Sequence, residues 1–239
     1  MKKLLSLLLA MTIAAGLNAC SPEDTSANGH PTETPETPDK PDMPDNPNPE
    51  NPNPENPEPD APDKPNPSAG KALVVYYSFT NNVHTIVSDL RTQIDADVIR
   101  VQPAEKGLDY AANNYAIGSA QIQAIRDNPG NASSYPAIDP VEVDFGQYGT
   151  IFVAAPLWWS NMAAPLQTFL FTHGAEMTGK RIGLIVSSAS SGINGVESDA
   201  RRLIPEGNFM TPSLWIRSSQ ISDCHAMTVQ WLRDTGYTK

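Results

Sequence analysis

The chain has 239 residues, a formal net charge of −11 at pH 7 and only 16 Lys and Arg residues. This length allows one or two domains. The acidic balance excludes a basic nucleic-acid-binding surface as a main feature of the chain, so we expect no nucleic-acid partner.

Residues 1–20 have the pattern of an export signal, with two lysines followed by an apolar stretch over residues 4–17. The stretch is too short for a conventional membrane-spanning helix. Leu17, Ala19 and Cys20 resemble the bacterial lipobox. The resemblance implies a signal peptide that ends at a lipidated Cys20 and a chain anchored in the cell envelope, at the outer membrane or the cell surface. An ordinary signal peptide cut nearby and an uncleaved anchor remain open.

Residues 21–70 form an acidic, proline-rich segment. They hold about two-thirds of the prolines, and twelve Asp and Glu residues against two Lys residues. With so few large apolar side chains, the segment cannot bury enough surface to offset the entropy lost on ordering. Dense proline favours extended polyproline II backbone. We expect a disordered tether, with a ligand for a proline-binding domain as the alternative.

Residues 71–239 have the composition of one folded domain, with fifteen acidic and twelve basic side chains. Continuous apolar runs predict buried strands, and apolar residues at helical spacing predict helices. In chain order, we predict strand 72–77, helix 83–94, strand 97–101, helix 108–127, strand 150–155, helix 163–171, strand 181–186, helix 197–203, strand 213–216 and helix 222–234. This alternation predicts an α/β domain with a parallel sheet covered by helices on both faces.

Three of these strands end in turns at the edge of the sheet where ligands bind in such folds. The first turn, residues 78–82, is rich in Ser, Thr and Asn. It can form a phosphate cradle from backbone N–H groups or simply cap a helix. It holds no glycine, so it is neither a P-loop nor a dinucleotide fingerprint.

The second turn, residues 156–161, has two adjacent tryptophans, which can stack on a planar ligand or pack into the core. The third turn, residues 187–195, is rich in Ser and Gly. It can bring backbone close to a ligand or form a flexible loop.

Together these turns resemble those of the flavodoxin-like family. Residues 77–82 are similar to its Ser/Thr-x-Thr-Gly-Asn-Thr phosphate loop, and residues 152–159 to the strand and Pro-x-Trp-Trp turn of its second flavin loop. Residues 187–195 are similar to its third loop, and residues 229–232 to part of its last helix. The resemblance implies a doubly wound, five-stranded parallel sheet of order 2-1-3-4-5 that binds FMN non-covalently.

The resemblance also implies a role for particular residues. The phosphate would be bound by the first turn, at Ser78, Thr80, Asn81, Asn82 and Val83. The isoalloxazine ring would be flanked by Pro156, Leu157, Trp158 and Trp159. The polar edge of the ring would contact Ser188, Ala189, Ser190 and Gly192. No catalytic acid–base pair and no metal site is predicted.

The implied function is electron transfer or flavin-dependent reduction outside the cytoplasm, with an unknown redox partner. Asn81 stands where the family usually has glycine, and Val83 where it usually has threonine. These departures keep open a non-redox binding lipoprotein that retains the fold without flavin. A hydrolase is a third alternative, although the chain lacks a Gly-x-Ser-x-Gly elbow. We expect Cys224 to be a small buried side chain.

Overall fold

The computed structural model describes residues 71–238. The expected signal peptide, the lipidation at Cys20 and the expected tether over residues 21–70 lie outside the described residues. Among the helices that are described, none has both the length and the apolar character needed to cross a membrane.

Strands and helices alternate along the described part of the chain. The strands are β1 (Lys71–Tyr76), β2 (Ala96–Arg100), β3 (Tyr148–Trp158), β4 (Asn161–Met162), β5 (Arg181–Ser188), β6 (Asn208–Phe209) and β7 (Leu214–Arg217). The α-helices are α1 (Asn82–Gln93), α2 (Ala112–Asp127), α3 (Ala164–His173), α4 (Asn194–Leu203) and α5 (Cys224–Asp234).

The strands form one mostly parallel sheet, in which β2, β1, β3 and β5 follow one another. Both β6 and β7 pair in parallel with β5, β6 along its start and β7 along its end. With β5 and β7 as the predicted fourth and fifth strands, the order 2-1-3-4-5 is confirmed. The prediction missed β6 and also β4, which forms a short antiparallel hairpin with the end of β3.

The sheet is buried on both faces. Leu73 and Val75 of β1 belong to one core with α2, α3 and α4, while Ala72 and Val74 belong to a second core with α1 and α5. This two-sided burial explains the continuous apolar run that predicted β1. Cys224 is a free, buried thiol in the second core, and its burial raises the pKa of that thiol.

The largest boundary errors lie at the end of β3, at the start of α2 and around the third turn. The strand β3 continues to Trp158 rather than ending at residue 155, so the second turn keeps only residues 159 and 160. In α2, Asn113, Asn114 and Tyr115 have φ values of 50°, 56° and 62°, so the regular helix begins after Tyr115 rather than at residue 108. Asparagine tolerates this left-handed region, which apolar spacing does not reveal. The third turn is also shorter than expected, because β5 continues to Ser188 and α4 begins at Asn194.

Candidate functional site

The carboxyl ends of β1, β3 and β5 border a cavity of about 340 Å³. Its size lies within the range of small-molecule sites. Most of the residues expected from the sequence meet in its lining: Ser78, Thr80, Asn82, Val83, Pro156, Leu157, Trp158, Trp159, Ser188 and Ala189. The three turns therefore converge on one site.

Three of the expected residues do not line this cavity: Asn81, Ser190 and Gly192. Asn81 is the N-cap of α1 and shapes the backbone of the first turn with φ 65°. Ser190 and Gly192 are exposed in the third turn. That turn closes on itself, because the Ser188 hydroxyl donates to the Ser191 carbonyl at 2.8 Å.

Sequence reasoning missed six lining residues: Phe79, Tyr110, Tyr115, Gly118, Ser187 and Ser218. Phe79 and Ser187 belong to turns already singled out, so only their contact was missed. Ser218 directly follows β7, and the carboxyl end of β7 lies at the same edge of the sheet. Because ligands bind at this edge in such folds, the turn after β7 was as predictable as the other three. The segment that carries Tyr110 and Tyr115 gave no such signal, because it was assigned to a helix.

The first turn offers free backbone donors. Of the backbone N–H groups of residues 79–83, none donates to another residue in the described part of the chain. The next two are satisfied: His84 N–H donates to Ser78 Oγ at 3.2 Å, and Thr85 N–H donates to the Asn81 carbonyl at 2.9 Å. Free N–H groups and the positive end of the α1 dipole favour an anion here.

The second turn is a tight hairpin between β3 and β4, in which Trp158 pairs with Asn161. Its two central residues, Trp159 and Ser160, have φ values of 46° and 65°. Hairpin turns of this kind prefer Asn-Gly, and the left-handed region costs other residues about 1–2 kcal/mol each. Such strain persists only where the surrounding structure holds it.

Five aromatic side chains, which we call the aromatic wall, line the cavity: Phe79, Tyr110, Tyr115, Trp158 and Trp159. Trp158 is central, with ring centroids 5.0 Å from Tyr110, 6.0 Å from Phe79 and 6.3 Å from Trp159. Tyr115 and Trp159 are 48% and 40% exposed. Open aromatic faces beside a cavity suit a planar aromatic ligand.

Burial favours the neutral form of two tyrosines, Tyr77 beside the aromatic wall and Tyr110 within it. Tyr77 packs its ring edge against Trp158 at 5.6 Å between centroids. Desolvation by burial raises the pKa of Tyr77, and it also raises the pKa of Tyr110. No lining residue of the cavity, as far as the chain is described, carries a charge at neutral pH.

Hydrogen bonds join the first turn to the third. The Asn82 amide donates to Ser218 Oγ at 3.1 Å, and Ser218 Oγ donates to the Ser188 carbonyl at 3.3 Å. Trp215 Nε1 donates to Ser188 Oγ at 2.8 Å. Because its hydroxyl is occupied in this way, Ser188 faces the cavity mainly as backbone. The first turn, with its free N–H groups, and the third turn are thus fixed relative to each other.

The family model described as Flavodoxin matches residues 71–232 of the chain. This protein belongs to the flavodoxin family. The match covers more than half of the sequence and confirms the resemblance drawn from the three turns. No curated protein matches this flavodoxin-family chain.

Solved structures share the fold. A proposed flavoprotein from Bacteroides eggerthii is 22% identical, covers 71% of this chain and 99% of its own, and has a TM-score of 0.55. A flavoprotein from Lactobacillus acidophilus in complex with FMN is 22% identical, covers 65% and 98% of the two chains, and has a TM-score of 0.51. A proposed flavoprotein from Bacteroides uniformis is 22% identical, covers 69% and 98%, and has a TM-score of 0.53. At these identities the likeness establishes the fold.

Proposed function

We propose that this flavodoxin-family protein binds FMN in the cavity and acts in electron transfer or flavin-dependent reduction. One observation carries the proposal: the first turn, with its free backbone N–H groups, and the aromatic wall border the same cavity. FMN needs both surfaces, because it joins a phosphate to a planar ring. Family membership and the FMN complex of the Lactobacillus acidophilus relative support FMN as the cofactor.

The residues of the cavity fit the two ends of FMN. The backbone of the first turn would hold the phosphate without help from a cationic side chain, and Ser78, Thr80 and Asn82 add polar groups beside it. The aromatic wall would flank the isoalloxazine ring and exclude water from it. FMN supplies the redox chemistry when bound, and the chain supplies binding and orientation.

The uncharged lining has a consequence for the flavin. Extra negative charge on the ring would find no lining cation to pair with, within the described residues. The small net charge of the domain adds only a modest field at the ring. The protein would therefore bind the oxidised ring in preference to a negatively charged reduced one.

The aromatic wall is the part of the site to test by substitution. Trp159→Ala should weaken FMN binding about ten-fold, because it removes an exposed stacking surface. Phe209→Ala is the control, since Phe209 packs under Arg201 at 4.6 Å and lies outside the cavity lining. Dissociation constants come from quenching of flavin fluorescence. Equal affinities for wild type and Trp159→Ala would count against ring binding at this wall.

We also propose that the protein is anchored in the cell envelope through Cys20. The lipobox-like Leu17, Ala19 and Cys20 and the acidic, proline-rich residues 21–70 support this location. Growth of cells with a radioactive fatty acid should label the full chain, and Cys20→Ser should abolish the label. Label that persists in Cys20→Ser would refute lipidation at this position.

A non-redox binding protein with the same fold is the alternative that Asn81 and Val83 raised. Asn81 has a φ of 65°, a left-handed conformation of the kind that glycine adopts. This departure therefore keeps the backbone shape of the first turn. Val83 is 1% exposed and belongs to the core under α1, so only one hydroxyl is lost relative to the family pattern. Neither departure favours a site without flavin.

A further inference from the structure

A chain of polar side chains lies beside the turn of the β3–β4 hairpin. Asn161 is its centre: Asn161 Oδ1 accepts from Arg126 Nε at 2.8 Å, and Asn161 Nδ2 donates to Asp199 Oδ2 at 2.9 Å. The same Asp199 oxygen accepts the backbone N–H of Met162 at 2.9 Å. The hairpin is thus held between a cation on α2 and a carboxylate on α4.

Asp199 is a buried carboxylate, with a side chain only 9% exposed. Its Oδ1 accepts from Arg202 Nη2 at 3.0 Å, and Arg202 also donates to Gln167 Oε1 at 2.9 Å. A buried carboxylate is costly unless it is paired and hydrogen-bonded, and Asp199 is both. Without its carboxylate, both donors of the hairpin would lose their acceptor.

The turn that these bonds hold is strained. Trp159 and Ser160 occupy the left-handed region without being glycine. The Trp159 carbonyl accepts a hydrogen bond from Arg126. A Cβ on Gly195 would lie only 1.8 Å from the Ser160 carbonyl oxygen, so the turn packs against the backbone of Gly195. Such a turn keeps its shape through its neighbours, and Asp199 makes two of those contacts.

We propose that Asp199 is the positioning residue for Trp158 and Trp159, the two tryptophans of the aromatic wall. Through Asn161 and Met162 it holds the hairpin so that Trp158 and Trp159 border the cavity, although Asp199 itself does not line the cavity. The inference rests on the proposed function, because the wall is assigned to the isoalloxazine ring.

The position of Asp199 predicts which part of the flavin is affected. Asp199 bonds to the second turn, whereas the free N–H groups for the phosphate belong to residues 79–83. FMN and riboflavin share the ring and the ribityl chain and differ by the phosphate. Loss of the Asp199 contacts should therefore weaken the binding of FMN and the binding of riboflavin by the same factor.

The test uses the full chain with Asp199→Asn and measures dissociation constants for FMN and for riboflavin by fluorescence quenching. We expect both constants to rise about ten-fold, since a buried hydrogen-bond network loses its charge. Glu197→Gln is the matched control on the same helix, because Glu197 Oε1 accepts from Ser213 Oγ at 2.7 Å and bonds to no residue of the hairpin. Its two constants should equal those of wild type.

A folded Asp199→Asn variant that binds riboflavin as tightly as wild type overturns the proposal. A loss confined to FMN also overturns it, because the effect would then lie at the phosphate. If Asp199→Asn does not fold, Asn161→Asp replaces the amide donor to Asp199 with an oxygen, while it keeps the oxygen that accepts from Arg126 and leaves Asp199 its bonds to Arg202 and Met162. Equal loss of affinity for both flavins in Asn161→Asp supports the proposal, and no loss overturns it.

One readout does not depend on flavin. In the ¹⁵N-labelled protein without ligand, Asp199→Asn should shift the indole N–H signals of Trp158 and Trp159. The signal of Trp231, which donates to the Pro212 carbonyl at 2.7 Å, should stay in place. If wild type binds neither flavin, the proposed function fails, while these signals still decide the role of Asp199. Unchanged signals from Trp158 and Trp159 would overturn that role.

Discussion

Asn81 holds its backbone at φ 65° immediately before α1, in the region that glycine adopts without steric cost. Asparagine is several-fold enriched there among the other residues. The side chain of Asn81 does not line the cavity, so its contribution is the direction it gives to the N–H groups around it. A family position that usually requires glycine is therefore filled by the residue that imitates glycine best.

Substitution of Asn81 should separate backbone shape from side-chain contact. Asn81→Gly should keep FMN affinity, whereas Asn81→Ala should weaken it several-fold and lower the free energy of unfolding by about 1 kcal/mol. Titration with FMN and urea denaturation measure the two effects. If Asn81→Ala bound FMN like wild type, the turn would not depend on this conformation.

Glu206 provides the control for this experiment. It also has a positive φ, 57°, but it is exposed and lies outside the cavity lining. Glu206→Gly should change the free energy of unfolding by no more than about 1 kcal/mol, because relief of the left-handed conformation is offset by the greater entropy of glycine in the unfolded chain, and it should leave FMN affinity unchanged.

At the scale of elements, the β3–β4 hairpin packs directly on the start of α4. Gly195 makes this possible, because a Cβ there would stand 1.8 Å from the Ser160 carbonyl oxygen. Gly118 of α2 packs on the other side, where a Cβ would lie 3.2 Å from Cζ3 of Trp159. The hairpin is thus confined between two helices at positions without side chains.

Gly195→Ala should displace the hairpin, because backbone on both sides would have to move. We expect a loss of about 1–3 kcal/mol in the free energy of unfolding, together with weaker FMN binding. Gly192→Ala is the matched control, since a Cβ at Gly192 would meet nothing within 4 Å. Thermal denaturation and FMN titration of both variants test this packing. Equal behaviour of the two alanine variants would refute it.

The sequence predicted the elements whose pattern depends on burial. The strands β1, β3 and β5 came from apolar runs, since their residues face two cores. The β4 strand was missed because its turn consists of Trp159 and Ser160 rather than the Asn-Gly that marks a hairpin. The start of α2 was missed because Asn113 and Asn114 bend the backbone without an apolar signal.

The candidate site was predictable in its location and less so in its composition. Strand ends placed the three turns, and Trp158 and Trp159 marked the ring side. Tyr110 and Tyr115 come from the segment before the regular part of α2, so only the tertiary fold brings them to the cavity. Likewise, no local sequence pattern indicates the long-range hydrogen bond from Asn82 to Ser218.

At the scale of the whole molecule, burial of phenols links stability to alkaline pH. Burial raises the pKa of Tyr77 and of Tyr110 above the unfolded value, so the folded state keeps protons that the unfolded state loses. The stabilisation is complete below about pH 10, the unfolded pKa, and is lost as pH rises toward the folded values.

Urea denaturation between pH 8 and pH 12 should therefore show a free energy of unfolding that falls above about pH 10. Tyr77→Phe should make this fall less steep, because it removes one of the buried phenols. Tyr110 and Tyr237, whose pKa values are also raised by burial, keep part of the slope in that variant. An identical slope in wild type and Tyr77→Phe would contradict the assignment to Tyr77.

Titration of the purified protein with FMN, followed by absorption and by quenching of flavin fluorescence, tests the central claim most directly. The account predicts a stoichiometric end point at one FMN per chain, shifted visible bands from contact with the aromatic wall, and weaker binding of riboflavin, which lacks the phosphate. Absence of binding at saturating FMN would contradict the account and favour a flavodoxin fold that serves a non-redox role.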